Sequence, residues 1–588
     1  MDFETVARAF AELEETSSRK AMTETLLRLL QHTSVELLPP VVLLLQGKIA
    51  PNYEGIELNM GAQLAARAIA DAAAAPVPMV EERLQKLGDL GLVARDLLET
   101  QRASEAGGGT SSSPRLRVDD VFAALIEIAE ATGRGSVQWK VDLLADLLRR
   151  ATALEATFIV RTVTGNLRLG VGDATLLEAL ALAFGGGPEA RPVLERAYNL
   201  TSDLPGVAVR VASGGIAAAA AVEITLGKPV RPMLAERLDS PEEILDAMGG
   251  HCAAEYKYDG ERFQAHLGPG LAAIFSRRQE NITHQFPDLV EALRVAIPRP
   301  AIVEGEAVAL DPVSGALRPF QDLLRRKRKS VDADILAQYP VVAFLFDLLY
   351  LDGEDRTEDP NEVRREALEA LVRPGEQVQL ATRRVVTAVA ELKRFFDEAI
   401  AEGSEGLICK QIGPGTGYRA GKRGYQWVKY KRDIHGQLTD SLDLVIVAAF
   451  YGRGRRAGTY GSFLLAVYNV ESDTFETLTR CGAGLTDADL ARLPERLRPS
   501  LLDHRHPRVS ALIEPDVWFA PSQVFEVIGQ ELSLSPRHTC AFGVLEPERG
   551  LSLRFPRFTG RIRSDKAPED ATSTAEVIEM YRQQFAHR

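Results

Sequence analysis

Only four cysteines occur in 588 residues, at positions 252, 409, 481 and 540. They lie too far apart for a zinc-ligand pair or a small disulfide framework. A reducing, cytoplasmic setting is expected from that usage. No apolar run reaches the ~18 residues that a membrane helix needs, so no membrane partner is expected. The N-terminal stretch MDFETVARAF is acidic and amphipathic. It lacks the basic segment and apolar core of a secretory signal. Phosphate-cradling motifs are missing too. GTGYRAGKRG has Thr416 where a Walker A loop begins with Gly, and Arg423 where it ends in Ser or Thr. There is no GxGxxG, GxSxG or HExxH, and the nine histidines show no metal-ligand spacing.

The chain is short of positive charge overall, at −13 with a pI near 5.4. Taken alone, that disfavours nucleic acid, whose phosphates are neutralised by Lys and Arg. Clustering matters more than the sum. Arg325–Lys329 forms one basic run, Arg453, Arg455 and Arg456 a second, and Arg554, Arg557, Arg561 and Arg563 a third. Two of the three are interleaved with Phe or Tyr.

A hydrophobic core stops growing near roughly 250–300 residues, so several domains are expected. Residues 1–225 read as helical: Phe3, Val6, Ala7 and Phe10 share one face at helical spacing, as do Met22, Leu26, Leu27 and Leu30. Residues 226–435 alternate short apolar runs with helical stretches and predict an α+β domain with largely antiparallel sheets. Residues 436–588 are dominated by short strands between Gly-rich turns, which predicts a small barrel. A final helix follows, capped by Ser573 and Glu576 and striped by Ile578, Tyr581 and Phe585.

The chemistry centres on EYKYDGER. Lys257, at a strand end before Asp-Gly, reads either as a surface turn or as a nucleophilic amine that carries a nucleotide on phosphorus. The second reading requires phosphate-binding cations, metal carboxylates and an aromatic for the base. Glu304 and Glu306 alternate along VEGEAVALD and face one side of a strand. Glu306 and Glu405 suit Mg²⁺, a hard cation that takes oxygen ligands. Phe346 offers a ring for stacking, and Lys429 and Lys431 share a strand face suited to phosphates.

In order, EYKYDGER, FSRRQENIT, VEGEAVALD, FDLLYLDG, EGLICK, WVKYKRD and RSDK resemble the motifs of three-domain ATP-dependent DNA ligases, shared by archaeal and eukaryotic replicative enzymes and some bacterial repair enzymes. The resemblance implies a multidomain fold: an all-α DNA-binding domain, an α+β nucleotidyltransferase domain and an OB-fold barrel. It implies ATP and Mg²⁺ as cofactors, nicked double-stranded DNA as substrate, and a monomer. Lys257 would be the adenylated lysine, Glu255 would accept from the adenine amino group, and Phe346 would stack on the ring. Arg262 and Arg277 would contact ribose and the nick phosphate region; Lys429 and Lys431 would hold phosphates. Arg563, with Asp565 and Lys566, would orient pyrophosphate, and Phe320 and Phe555 would wedge exposed rings into the minor groove. The spacing from RFPRF to RSDK is one residue longer than usual in that family, and Glu304 stands where Asp is common. Rival readings are an RNA ligase or capping-type nucleotidyltransferase, an NAD-dependent ligase, and a non-catalytic nick-binding protein. The helical region holds none of the nucleotide motifs, so its expected task is to grip the duplex without affecting adenylation.

Overall fold

The computed structural model describes residues 1–58, 60–105, 115–318, 320–326, 332–431, 441–452 and 458–584. The basic residues Lys327–Lys329, Arg453, Arg455 and Arg456, and the stripe residue Phe585, lie outside the described residues. The chain divides into two compact units, 1–61 with 111–432 and 62–110 with 433–588. Each is described by itself.

In the first unit the helical spacing of the N-terminus is realised in Phe3–Glu15, which buries Phe3, Val6, Ala7, Phe10 and Leu13. Phe10 packs edge-on to Phe158, with ring centroids 5.4 Å apart. In Arg19–Gln31 the buried face is Leu26, Leu29 and Leu30, while Met22 and Leu27 are half-buried. Further helices of this unit follow as far as Leu204–Ala220, whereas Ala62–Ala72, Val77–Leu87 and Leu90–Glu105 fall in the second unit.

After them come eleven strands in two sheets: β1 (Leu234–Arg237), β2 (Cys252–Tyr256), β3 (Glu261–Gly268), β4 (Leu271–Ser276), β5 (Ala301–Ala309), β6 (Val341–Leu351), β7 (Glu354–Asp355), β8 (Val378–Leu380), β9 (Arg383–Val386), β10 (Gly406–Lys410) and β11 (Arg423–Lys431). One sheet has the order β1-β11-β10-β2-β9; the other runs β4-β3-β5-β6-β7, with β8 beside β6. Pairing is antiparallel except for β1·β11 and β6·β8, as the alternating patterns predict.

Period-two alternation gives each sheet two faces. In the first, Ala254, Tyr256, Leu407 and Cys409 pack on Leu392 and Phe395 of the helix Val389–Ala401. In the second, Val303, Ala307 and Ala309 pack on Leu289, Leu293, Leu368 and Leu371 of two further helices. The remaining faces carry Glu255, Lys410, Trp427 and Lys429 on one sheet and Arg262, Gln264, Glu304, Glu306 and Phe346 on the other. Side-chain contacts across them, such as Trp427 to Phe346 with centroids 6.2 Å apart, join the two inner faces.

One basic run is corrected by the structure. Arg326 is fully buried, donating to both oxygens of Asp288 at 2.8 and 2.9 Å and to the Tyr339 carbonyl at 2.8 Å. It pins a loop to the core rather than offering charge to a partner.

The second unit contains β12 (Leu442–Tyr451), β13 (Tyr460–Asn469), β14 (Thr474–Cys481), the short strands β15 (Leu501–Leu502), β16 (Val509–Ser510) and β17 (Val517–Phe519), then β18 (Val524–Ile528), β19 (Glu531–Ser535), β20 (Gly550–Arg554) and β21 (Arg557–Ile562). β12 pairs with β13 and β18, β13 with β14, and β18 with β21. Just past β14, Ala483 bridges Arg557 at the start of β21, and the Phe558 N–H donates to the Ala483 carbonyl at 3.0 Å. The ring therefore closes in the order β12-β13-β14-β21-β18-β12, a five-stranded barrel of OB-fold topology. Its core holds Leu444, Ile446, Phe463, Leu465, Phe525 and Phe558. The helix Thr574–Gln583 follows, with the expected reciprocal cap between Ser573 and Glu576 and with Ile578 and Tyr581 against the barrel core. Among the described residues no helix is long and apolar enough to cross a membrane.

Candidate active site

Lys257 stands one residue beyond β2, where the pairing with β10 continues. Its N–H donates to the Gly406 carbonyl, and its carbonyl accepts from the Glu405 N–H, both at 2.8 Å. That register sets the side chains of Lys257 and Glu405 against each other, and the Lys257 ammonium donates to Glu405 Oε2. The same oxygen holds the Lys431 ammonium at 2.6 Å. Burial pushes the Glu405 carboxyl up, but Lys257 and Lys431 outweigh it and hold it below the usual range.

The tight approach of the KYDG turn to β5 requires glycine at 260. A Cβ there would lie 2.3 Å from the Ala307 carbonyl oxygen and 2.9 Å from Glu306 Cγ. This approach brings Asp259 and Glu306 beside the lysine. Burial and the Glu405 charge push the Asp259 carboxyl up. Burial pushes Glu306 up to about 7, with Lys257 and Arg262 opposing and Glu405 and Glu261 reinforcing. Glu306 has no hydrogen bond or ion pair to any described residue, so Lys257 and Arg262 act on its charge only at a distance.

On β3, Arg262 is held from three sides. It donates to Glu304 Oε2 at 2.9 Å and to the Met233 carbonyl at 2.8 Å, and Tyr418 Oη lies 3.4 Å from it. Glu304 and Glu306 share a strand side as predicted, but Glu304 is buried and committed to Arg262 and Tyr418. Arg277 belongs to the same electropositive cluster. Burial, then Arg262 and Arg423, push its guanidinium down. Lys429 is pushed down by burial and by Lys431, Arg423 and Lys257.

Deeper between the sheets, the buried Lys410 ammonium donates to Glu255 at 2.7 Å and to the Phe346 carbonyl at 3.1 Å. It lies 4.9 Å from the Phe346 ring centroid and 4.5 Å from that of Trp427. The structure thus gathers Lys257, Glu405, Lys431, Lys429, Glu306, Arg262 and Arg277 into one cluster, with Glu255 and Phe346 joined through Lys410 behind it. Phe320 is not the exposed ring expected. It is half-buried against the central core, its N–H donating to Asp259 at 3.3 Å. In the second unit Phe555 is 65% exposed with φ +51, a left-handed conformation unusual for an aromatic residue. Also there, Arg563 donates to Asp443 at 2.8 Å and to Asp565 at 2.7 Å, and Lys566 pairs with Asp443 at 2.7 Å.

Comparison with known proteins decides the family. The sequence matches the family descriptions "DNA ligase N terminus" over residues 2–181, "ATP dependent DNA ligase domain" over 232–431 and "ATP dependent DNA ligase C terminal region" over 456–566. It is 50% identical to a probable DNA ligase of Aquifex aeolicus, covering 99% of both chains. This chain belongs to the ATP-dependent DNA ligase family. It is also 49% identical to DNA ligase 2 of Thermofilum pendens, covering 99% of this chain and 98% of that one. The solved structure designated Pmar-Lig_Pre shares the fold at 16% identity, with a TM-score of 0.51 over 95% of this chain and 99% of that one.

Three residues of the ligase cluster went unread in the sequence. Arg423 precedes Trp427, Lys429 and Lys431 on one face of β11, and the period-two spacing was its signal. Asp259 reads only as part of a turn, and Lys410 only as the last residue of the EGLICK motif. The proximity of Lys410 to Glu255 depends on the β2·β10 register.

Proposed function

We propose that this chain seals nicks in duplex DNA with ATP, through a lysyl-AMP intermediate on Lys257 and then a DNA-adenylate. The observation that carries the reading is the Lys257 ammonium lodged on Glu405 beside Lys431, with Glu306, which has no hydrogen bond or ion pair among the described residues, next to it. In the first step Lys257 Nζ, its proton lost to water, bonds to the α-phosphorus of ATP, and the bond from that phosphorus to the pyrophosphate oxygen breaks, which leaves Glu405 ionised. Lys429, Lys431 and Arg423 offset the charge that develops on the phosphate oxygens. Phe346 stacks on the base, Glu255 accepts from its amino group, and Arg262 and Arg277 meet the ribose side. AMP then passes to the nick 5′-phosphate, and the 3′-hydroxyl displaces it to close the strand.

Magnesium fits this donor set. It commonly takes one or two carboxylates together with substrate phosphates, and Glu306 is a carboxyl without a partner. Glu405 would join it once Lys257 is engaged elsewhere. When bound, the ion would offset phosphate charge. The proposed domains are 1–225 for duplex grip, 226–435 for adenylation and 436–588 for the barrel, which presents Arg563 to pyrophosphate and Phe555 to the minor groove beside the nick. The protein is proposed to act as a monomer.

The test is nicked DNA and nicked RNA supplied separately with ATP, NAD or GTP, together with α-labelled ATP. Sealing of DNA with ATP and covalent label on Lys257 are expected. An unlabelled, non-sealing protein would leave a nick-binding role instead.

A further inference from the structure

The segment between the helical region and β1 is clipped to β3 by consecutive inward residues. His266 Nδ1 accepts from the Gly227 N–H at 3.0 Å. Gln264 accepts from the Val230 N–H at 2.8 Å and donates to the Val230 carbonyl at 3.1 Å. Arg262 completes the row on the Met233 carbonyl. Residues 262, 264 and 266 thus hold the segment at 233, 230 and 227 along one face of the strand that follows the KYDG turn.

Arg231, in that segment, turns the other way. Its guanidinium donates to Asp173 Oδ2 at 2.9 Å and lies 4.4 Å from the Tyr198 ring centroid. Its N–H donates to the Asn199 carbonyl at 2.7 Å. Asp173 opens the helix Asp173–Phe184 and also accepts from Tyr198 Oη at 2.8 Å and Gln46 at 2.9 Å. The Arg231 carbonyl accepts from the Gly421 N–H at 3.0 Å, and the Leu234 N–H donates to the Lys422 carbonyl at 2.9 Å. Gly421 has φ +70, and a Cβ there would lie 2.4 Å from Asn199 Oδ1, so the helical region touches this turn directly. Two residues on, Arg423 begins β11, which also carries Lys429 and Lys431.

We propose that Asp173 and Arg231 are positioning residues for adenylation: through them the helical region sets the turn 418–422, and hence the placement of the cationic strand β11 and of Arg262 against the nucleotide. This rests on the reading of Lys257 as the adenylated lysine. The device acts on ATP grip, because β11 and Arg262 contact phosphate and ribose rather than break a bond.

The experiment measures self-adenylation of the full chain across ATP concentrations. Label on wild-type Lys257 is required first, and its absence would refute the adenylation reading whatever Asp173 does. Asp173→Ala and Arg231→Gln should each raise the half-saturating ATP about fivefold, a usual size for coupling between linked sites, with the maximal rate nearly kept. The double variant should match the single ones, since both break one link. Asp173→Asn keeps the shape and most neutral hydrogen bonds, and it decides the matter if the alanine variant does not fold. Glu14→Gln breaks the Arg161–Glu14 pair, 2.6 Å, elsewhere in the helical region. It should lower the melting temperature without moving the ATP dependence. Unchanged half-saturation in Asp173→Asn and Arg231→Gln, an additive double variant, or an equal shift in Glu14→Gln would overturn the proposal.

Discussion

Glu306 is the carboxyl whose environment departs furthest from its task. Without metal, burial pushes it up to about 7 from an ordinary 4.5, even against Lys257 and Arg262. A protonated carboxyl is a poor ligand for a hard dication, so binding must displace the proton. The apparent Mg²⁺ dissociation constant then scales as one plus the ratio of protonated to ionised Glu306. That factor is about 11 at pH 6, about 2 at pH 7 and about 1.1 at pH 8. Affinity should therefore rise about tenfold from pH 6 to pH 8, whereas a carboxyl titrating at 4.5 would give almost no change over that span. Calorimetric titration with Mg²⁺, in two buffers of different ionisation enthalpy, should show about half a proton released per ion at pH 7. Glu306→Gln should bind more weakly and without the pH dependence. Affinity independent of pH, with no proton released by the wild-type chain, would refute the argument.

Three further outcomes follow from the geometry. Lys257→Arg keeps the pairing with Glu405 but stays protonated, so no covalent AMP should form by mass spectrometry; normal labelling would move the nucleophile elsewhere. Burial pushes His266 down to about 3, so the folded chain binds fewer protons than the unfolded one below the ordinary 6.5, and stability falls as pH drops. The loss should reach about 2 kcal/mol by pH 5, read as a urea midpoint, and His266→Asn should flatten that slope. Phe555→Gly should relieve roughly 1 kcal/mol of left-handed strain and raise the melting temperature. The same change should depress nick sealing while leaving adenylation intact; full sealing would make the exposed ring dispensable.

What could be read from the residues was local and periodic. Phe3, Val6, Ala7 and Phe10 declare a helix face, Ser573 and Glu576 a cap, and Glu304 and Glu306 a shared strand side. The ordered motifs likewise imply one site for Lys257, Glu306 and Glu405, through their resemblance to those of a known family. What stayed hidden depended on partners distant in sequence. Arg326 reads as one more cation in a basic run until Asp288, 38 positions earlier, is found against it. Phe320 reads as an exposed ring until the core covers it. The barrel closes through Ala483, a residue with no side-chain signal at all.

The helical region shows how far an inventory of motifs can carry a functional argument. Lacking any nucleotide motif, it reads as a region that holds duplex and leaves adenylation alone. The structure runs a continuous chain of hydrogen bonds from Gln46, Asp173 and Asn199 through Arg231 to the turn that launches β11. Removing the region would strip Arg231 of its anion and Gly421 of its neighbour, while the row 262–264–266 and the turn 418–422 still hold the segment. Motif positions locate the groups that touch substrate. They say nothing of the groups that hold those in place, because a carbonyl or a buried aspartate can do that work in any sequence context. A region can therefore be silent in motifs and still govern how tightly ATP is held.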